Sequence, residues 1–95
     1  MDDIVKKYTL QDPILFAGVK RYELEFRSIK ARDNVAVEKL RMKGAGDMEQ
    51  IAKYLQLICK IVPEEIEEMS HRDFMAAGLI IGDFLETGLP TTKAM

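Results

Sequence analysis

The sequence of 95 residues has few of the groups that most often carry chemistry. It contains one cysteine, Cys59, one histidine, His71, and no tryptophan. A single cysteine excludes an internal disulfide, and a single histidine excludes a metal site with two imidazole ligands from one chain. No phosphate-binding loop is present, because the two glycines around Ala45 lack the Lys-Ser/Thr pair that should follow them. We therefore predict no catalytic residues, no metal, no cofactor and no enzymatic activity.

Long apolar runs and targeting signals are also missing. Charged side chains interrupt every apolar stretch before it reaches the roughly 18 residues that a membrane helix requires. Behind Met1 there is neither a basic segment nor the long apolar segment of a secretory signal. We expect a cytoplasmic protein without a membrane partner. The interrupting residues are Lys53, Lys60, Asp73 and Asp83.

Charge is distributed unevenly, although the net charge is only −2. Residues 1–46 hold ten Lys or Arg against seven Asp or Glu, whereas residues 47–95 hold four against nine. The acidic half disfavours a nucleic-acid partner. The basic excess forms a stripe that could meet phosphates or could be a solvated helix face, and the absence of interleaved aromatic residues favours the solvated face. A small DNA-binding regulator remains an alternative. The stripe comprises Arg27, Lys30, Arg32, Lys39, Arg41 and Lys43.

The first part of the chain has the pattern of β-strands. Apolar and charged residues alternate in this part of the chain, with Tyr22, Leu24 and Phe26 as the apolar positions. This alternation predicts a strand with one buried and one solvent-exposed face. Upstream, residues 8–10 and 14–16 read as short strands around Pro13, which marks an edge or a bend because proline donates no ladder hydrogen bond.

A turn at Ala17-Gly18 can join these strands into a hairpin. Two strands alone are barely stable in water, so we expect the alternating face of the hairpin to lie on a helix. The hairpin should cover about residues 7–27.

Beyond about Lys30 the pattern becomes helical. The first helix is expected over Ala31–Met42, with Val37 and Leu40 facing inward. A second helix should begin with Asp47 as its N-cap, because a carboxylate can accept hydrogen bonds from the free amides there. Its apolar residues recur at spacings of three and four, so it should be nearly central. They are Met48, Ile51, Ala52, Leu55, Ile58, Cys59 and Val62.

Two further helix starts follow. Pro63 suits the first turn of a short helix, whose glutamates form an outer face rather than a metal site. Ser70 and Asp73 resemble a capping box that opens the last helix, and Gly88 ends it. The fold class is therefore α+β, a β-hairpin followed by a three- to four-helix bundle packed on it. We predict a single domain over residues 1–95, helical over about 31–88, with a loose tail at 89–95.

The last helix is apolar nearly all round, so it should be buried on more than one side. Either it packs tightly at the centre of the domain, or part of it contacts a partner. For the second case we predict a contact surface for client or sibling chains. Its residues are Phe74, Leu79, Ile80 and Phe84, with help from Tyr54 and Leu57.

The order of these elements resembles the small tail assembly chaperones of contractile-tailed bacteriophages and their prophage relatives. The resemblance covers about residues 7–87. It rests on the order and spacing of the predicted elements and on short sequence motifs. These are Leu10-Gln11-Asp12-Pro13-Ile14, Tyr22-Glu23-Leu24-Glu25-Phe26-Arg27, Ala31-Arg32-Asp33, residues 51–59, Val62-Pro63-Glu64-Glu65-Ile66-Glu67-Glu68-Met69, and Asp73-Phe74-Met75 leading to Gly82-Asp83-Phe84-Leu85.

This resemblance implies a protein of the bacterial host cytoplasm that assists tail building without belonging to the mature virion. Its partners would be the tape measure protein, which it keeps soluble, and the tail tube subunits, which it helps to recruit. A longer frameshifted product is common in such families, although a protein sequence does not display one. A homo-oligomeric structural protein of a phage tail is the alternative, and a homo-oligomer is compatible with both interpretations.

Overall fold

The computed structural model describes residues 3–87 and has the predicted α+β architecture, an antiparallel hairpin followed by four helices. The predicted helix end at Gly88 and the predicted loose tail lie outside the described residues. Among residues 3–87, no helix combines the length and apolarity needed to cross a bilayer. The elements are β1 (Ile4–Phe16), β2 (Val19–Arg27), α1 (Ala31–Met42), α2 (Asp47–Ile58), α3 (Pro63–Glu67) and α4 (His71–Thr87).

The hairpin closes through the two-residue turn that the sequence predicted. Ala17 and Gly18 have positive φ angles of 54° and 78°, and Phe16 pairs with Val19 across the turn. Two successive positive φ values give the loop a twist that matches the right-handed twist of the flanking strands. The turn therefore sets the register of the tip of the hairpin.

A bulge interrupts the ladder in the middle of β1. Between the pairs Thr9↔Glu23 and Ile14↔Arg21, β1 advances five residues while β2 advances two. Pro13 lies in this segment, where its missing N–H removes no ladder bond. The segments predicted as two short strands thus form one long strand with an internal bulge. The bulge leaves backbone N–H groups that must find partners elsewhere.

The prediction of one continuous buried face on β2 was wrong at Tyr22. Leu24 and Phe26 are fully buried, but Tyr22 is 59% exposed. The bulge and the twist of the strands turn the other side of β2 towards the helices at this end. There, Arg21 donates from Nε to Oε2 of Glu65 on α3 over 3.0 Å.

Helix α2 is central, as its apolar stripe predicted, because it contacts α1, α3, α4 and β2. Leu55 is fully buried on it. Nearby, the rings of Phe26 and Phe84 meet edge to face with centroids 6.0 Å apart. Burying side chains of this size stabilises a fold by about 1.5–3 kcal/mol each. Cys59 is a small core residue, and burial raises the pKa of its thiol to about 12.

Most helix N-termini lie at or next to the residues that the sequence predicted. The bounds of α1 are those predicted, with Val37 buried and Leu40 half-buried. For α2 the predicted cap is shifted by one residue, because Gly46 occupies the N-cap and its N–H donates to Glu49 Oε1 over 3.2 Å. Pro63 lies in the first turn of α3, as expected.

Candidate functional site

Asp73 fastens the first turn of α4 to the bulge of β1. Its Oδ1 accepts the Tyr8 hydroxyl at 2.8 Å and the Gln11 N–H at 2.9 Å, and its Oδ2 accepts the Asp12 N–H at 3.0 Å. Ser70 completes the set by donating to Oδ2 at 3.0 Å and accepting the Asp73 N–H at 3.2 Å. The residues predicted as a capping box therefore also join α4 to a strand more than 60 residues away.

The Asp73 carboxylate is fully buried, and its environment keeps it ionised. Burial by itself raises the pKa of this carboxyl, but the Asp12 and Gln11 amides and the Tyr8 and Ser70 hydroxyls outweigh burial and hold the pKa below its usual range. The charge also lies at the positive end of the α4 dipole. Position and charge together fix the orientation of α4 on the hairpin.

A second buried charge ties α1 and α2 to β2. The guanidinium of Arg27 donates to both carboxylate oxygens of Asp33 at 2.8 Å and to the carbonyl oxygen of Leu57 at 3.1 Å. Asp33 Oδ2 also accepts the N–H of Lys30, the N-cap of α1, at 2.8 Å. Arg27 is therefore buried, and its predicted place in an exposed basic stripe was wrong.

The surface that Asp73 positions is the outer side of α4. Ala77, Ile81 and Phe84 are buried against the core, whereas Met75, Leu79 and Leu85 are exposed. Leu79 is 77% exposed, which is high for an aliphatic residue in the middle of a helix. Helix α4 is thus exposed along one side, although its composition, apolar nearly all round, led us to expect burial on more than one side. We call Met75, Leu79 and Leu85 the α4 face.

A groove runs beside the α4 face, between α4 and α2. Gly78 lets the helices approach, because a Cβ there would lie only 3.1 Å from Cδ1 of Ile51. Gly82 leaves the groove open, since a Cβ at that position would meet no atom within 4 Å. The described residues that line the groove include Asp47, Asp83 and Glu86 but no Lys or Arg. The groove is thus apolar with an acidic rim, whereas exposed Arg72 lies one turn before Met75 at the start of the α4 face.

The residues predicted as a contact surface are divided between this surface and the core. Leu79 is exposed, and Phe74, Ile80 and Leu57 are half-buried. Phe84 is 2% exposed and Tyr54 8% exposed. Both therefore support the groove from beneath, and the Tyr54 hydroxyl donates to Asn34 Oδ1 over 2.7 Å.

Met75 and Leu85 lie on the α4 face, but the sequence reasoning did not select them. Helical periodicity held the missing signal for Met75, but not for Leu85, which is six residues from Leu79. Met75 and Leu79 are four apart and share a side of the helix, whereas Leu79 and Phe84 are five apart and do not.

The remaining polar groups are not gathered into a reactive site. Among residues 3–87, no cluster of three His, Cys, Asp or Glu side chains is placed to hold a metal ion. His71 lies exposed in the first turn of α4. The most distinctive feature of the described residues is therefore the exposed apolar side of α4 with its adjoining groove.

Comparison with known proteins agrees with a binding role. A model of the family described as "Phage tail assembly chaperone proteins, E, or 41 or 14" matches residues 7–86. The chain belongs to this family of phage tail assembly chaperones, which confirms the resemblance noted from its sequence. No curated protein and no solved structure matches the chain. The matched range covers the hairpin from residue 7 onward, the buried residues Arg27, Asp33 and Asp73, and the whole α4 face.

Proposed function

We propose that this chaperone binds a helical segment of the tape measure protein on the α4 face and in the adjoining groove. The observation that carries the proposal is Leu79, an aliphatic side chain 77% exposed at the centre of a firmly anchored helix. Exposed apolar patches on small proteins commonly mark contact sites. Membership of the chaperone family supports a protein of the tail assembly pathway as the client.

The shape and charge of the surface favour a helix as the bound element. An amphipathic helix presents apolar residues three or four apart, as Met75 and Leu79 are on α4, and helix-in-groove recognition usually relies on this arrangement. The acidic rim at Asp47 and Glu86 favours a client helix flanked by Lys or Arg. A long, largely helical tape measure protein offers many such segments.

In this proposal the chaperone acts in the bacterial host cytoplasm and leaves before the virion is complete. It keeps the tape measure protein soluble by covering apolar helix faces, and the complex then helps to recruit tail tube subunits. Nothing in this role requires catalysis. A DNA-binding regulator has less support, because Arg27 of the basic stripe is buried against Asp33.

Co-expression with the tape measure protein of the same phage or prophage tests the proposal. We expect the wild-type chaperone to increase the soluble tape measure protein and to co-purify with it. Leu79→Glu should weaken capture at least about tenfold, the usual effect of losing a central apolar anchor. The substitution should not disturb folding, because Leu79 is exposed.

Val19→Glu is the matched control for this experiment. Val19 is 68% exposed at the turn of the hairpin, so the control places the same charge on another exposed aliphatic position. It should capture the client as the wild type does. If Leu79→Glu captured the client as well as the wild type does, the client would not bind at the α4 face. No capture by the wild-type chaperone would show that the client is another protein.

A further inference from the structure

A shallow groove along α1, edged by Lys53 of α2, combines aliphatic side chains with lysines. Positions 35, 39 and 43, like positions 36, 40 and 43, are three or four apart and share one side of the helix. Val35 is 54% exposed in the middle of these lysines. We call the six residues the α1 groove. They are Val35, Ala36, Lys39, Leu40, Lys43 and Lys53.

The positive charge of the α1 groove has no counterpart within the described part of the chain. Helix α1 has two acidic residues, and both are engaged elsewhere. Asp33 is buried against Arg27, and Glu38 accepts hydrogen bonds from Arg41. Among residues 3–87, no acidic side chain lines the groove, and Arg32 extends its cationic lining towards the start of α1. The groove therefore carries a net positive charge around an aliphatic centre.

We propose that the α1 groove binds an acidic amphipathic helix of a second protein. Aliphatic residues of that helix would cover Val35 and Leu40, and Glu or Asp residues beside them would meet Lys39 and Lys43. Apolar contact at the centre with complementary charges around it is the usual arrangement of a specific interface. The spacing of three and four residues along α1 suits a helix that lies along the groove.

A nucleic acid fits the same groove less well. A phosphate backbone would meet the lysines but would leave Val35 without an apolar partner. The described residues that line the groove include no aromatic side chain on which a base could stack. An acidic helix satisfies both the charge of the groove and its aliphatic side chains.

The α1 groove is separate from the groove beside α4. Helix α2 contacts both α1 and α4. Lys53 lines the α1 groove and Ile51 lines the other, and residues two apart point to different sides of a helix. The two grooves also have opposite charge. The chaperone would therefore hold an acidic helix at α1 while a helix flanked by Lys or Arg lies at α4.

Two synthetic peptides test this proposal with the full-length chaperone. Each would have about 20 residues, since shorter isolated helices are marginal in water, and both would carry the same stripe of leucines. One is flanked by Glu and the other by Lys. By fluorescence anisotropy, the acidic peptide should bind with a dissociation constant of about 10–100 µM, because the contact is smaller than a standard interface. Raising the salt from about 50 to about 500 mM should weaken binding severalfold.

Substitutions in the α1 groove should weaken the acidic peptide selectively. We expect a loss of at least about tenfold for Lys39→Glu/Lys43→Glu and about threefold for Val35→Ser. The matched controls are Lys6→Glu/Lys20→Glu and Val19→Ser, which make the same changes at exposed positions on the hairpin and should bind normally. Leu79→Glu should also bind the acidic peptide normally, because Leu79 lies on the α4 face.

Several results would overturn the proposal. One is acidic-peptide binding that Lys39→Glu/Lys43→Glu leaves unchanged. Another is full binding by Val35→Ser, which would show that the lysines are only a solvated face. A third is tighter binding of duplex DNA or anionic vesicles than of the acidic peptide, lost in the double lysine variant. A fourth is a change in the association state of the free protein in that variant, which would make a second copy the occupant.

The proposal goes beyond the binding of the tape measure protein and can fail separately from it. Capture of the tape measure protein depends on the α4 face, so Lys39→Glu/Lys43→Glu should capture it as the wild type does. The peptide experiment contains no tape measure protein. Failure of the acidic peptide to bind would therefore leave the proposed function intact, and failure of the co-expression experiment would leave the α1 groove intact.

Discussion

Replacing Asp73 by alanine should lower the free energy of unfolding by about 3–5 kcal/mol, because it leaves four part-buried donors without their acceptor, at a cost of about 1 kcal/mol each. Two of these donors are the backbone amides of Gln11 and Asp12 in the β1 bulge, and the other two are the hydroxyls of Tyr8 and Ser70. The loss is measurable as a lower midpoint in urea, followed by circular dichroism. Tyr8→Phe should cost about 1 kcal/mol, since it removes a single hydrogen bond.

Glu49→Ala is the matched control for Asp73→Ala. Glu49 occupies the equivalent third position of α2, but it is exposed and accepts one N–H, that of Gly46. Its loss should cost no more than about 1 kcal/mol. Equal effects of the two substitutions would show that Asp73 acts only as a helix cap and does not fasten α4 to the hairpin.

The Asp73 effect should also depend on pH. The folded-state pKa of this carboxyl is depressed, so its contribution is complete above the unfolded value of about 3.9 and is lost as the pH falls through the folded value. The difference in stability between wild type and Asp73→Ala should therefore be constant near neutral pH. This difference between the two proteins should become smaller as the pH falls below about 4.

Arg27→Met should be similarly destabilising, by about 3–5 kcal/mol, because it leaves the Asp33 carboxylate buried without its partner. The substitution also removes the donor to the Leu57 carbonyl oxygen, so α2 loses a connection to β2. The Arg27 hydrogen bonds hold the pKa of Asp33 below its usual range despite burial, which shows that the folded environment favours the charged pair. Chemical denaturation measures the loss.

Arg41→Met provides the comparison for this substitution. Arg41 pairs with Glu38 on the exposed surface of α1, where both side chains are about half accessible to water. Exposed pairs of this kind contribute little to stability, because water and salt screen the two charges. If Arg27→Met were no more harmful than Arg41→Met, the buried pair would not be a structural link between β2, α1 and α2.

Local chemistry explains which parts of the fold were predictable. The turn at Ala17 and Gly18, the helix start at Pro63 and the bounds of α1 all depend on neighbours in the sequence. Each follows from the φ preference, the missing amide proton or the charge of a few adjacent residues. The hairpin and the helical order therefore needed no knowledge of tertiary contacts.

Features that depend on distant contacts were not predictable in this way. Tyr22 lies on the same strand pattern as Leu24, and only the bulge around Pro13 explains why it is exposed. The partners of Asp73 are 61–65 residues away, so no spacing rule indicates them. Arg27 looked like a surface cation until the structure placed it against Asp33.

The exposed side of α4 was predictable in part for the same reason. Composition indicated an excess of apolar side chains on the last helix, and one of them, Leu79, is exposed. Which apolar residues face the core depends on how Asp73 orients α4. With α4 held in that orientation, Phe84 is in the core, and Met75 and Leu85 join Leu79 at the surface.

Asp73 thus holds α4 so that one apolar side of the helix stays exposed. The most direct test of this account is to label the methyl groups of the chaperone and record their NMR shifts on addition of tape measure segments. The account predicts that the methyl signals of Met75, Leu79 and Leu85 shift, while those of Leu15 and Val19 at the hairpin tip stay in place. Shifts confined to the hairpin tip, with the α4 signals unchanged, would contradict it.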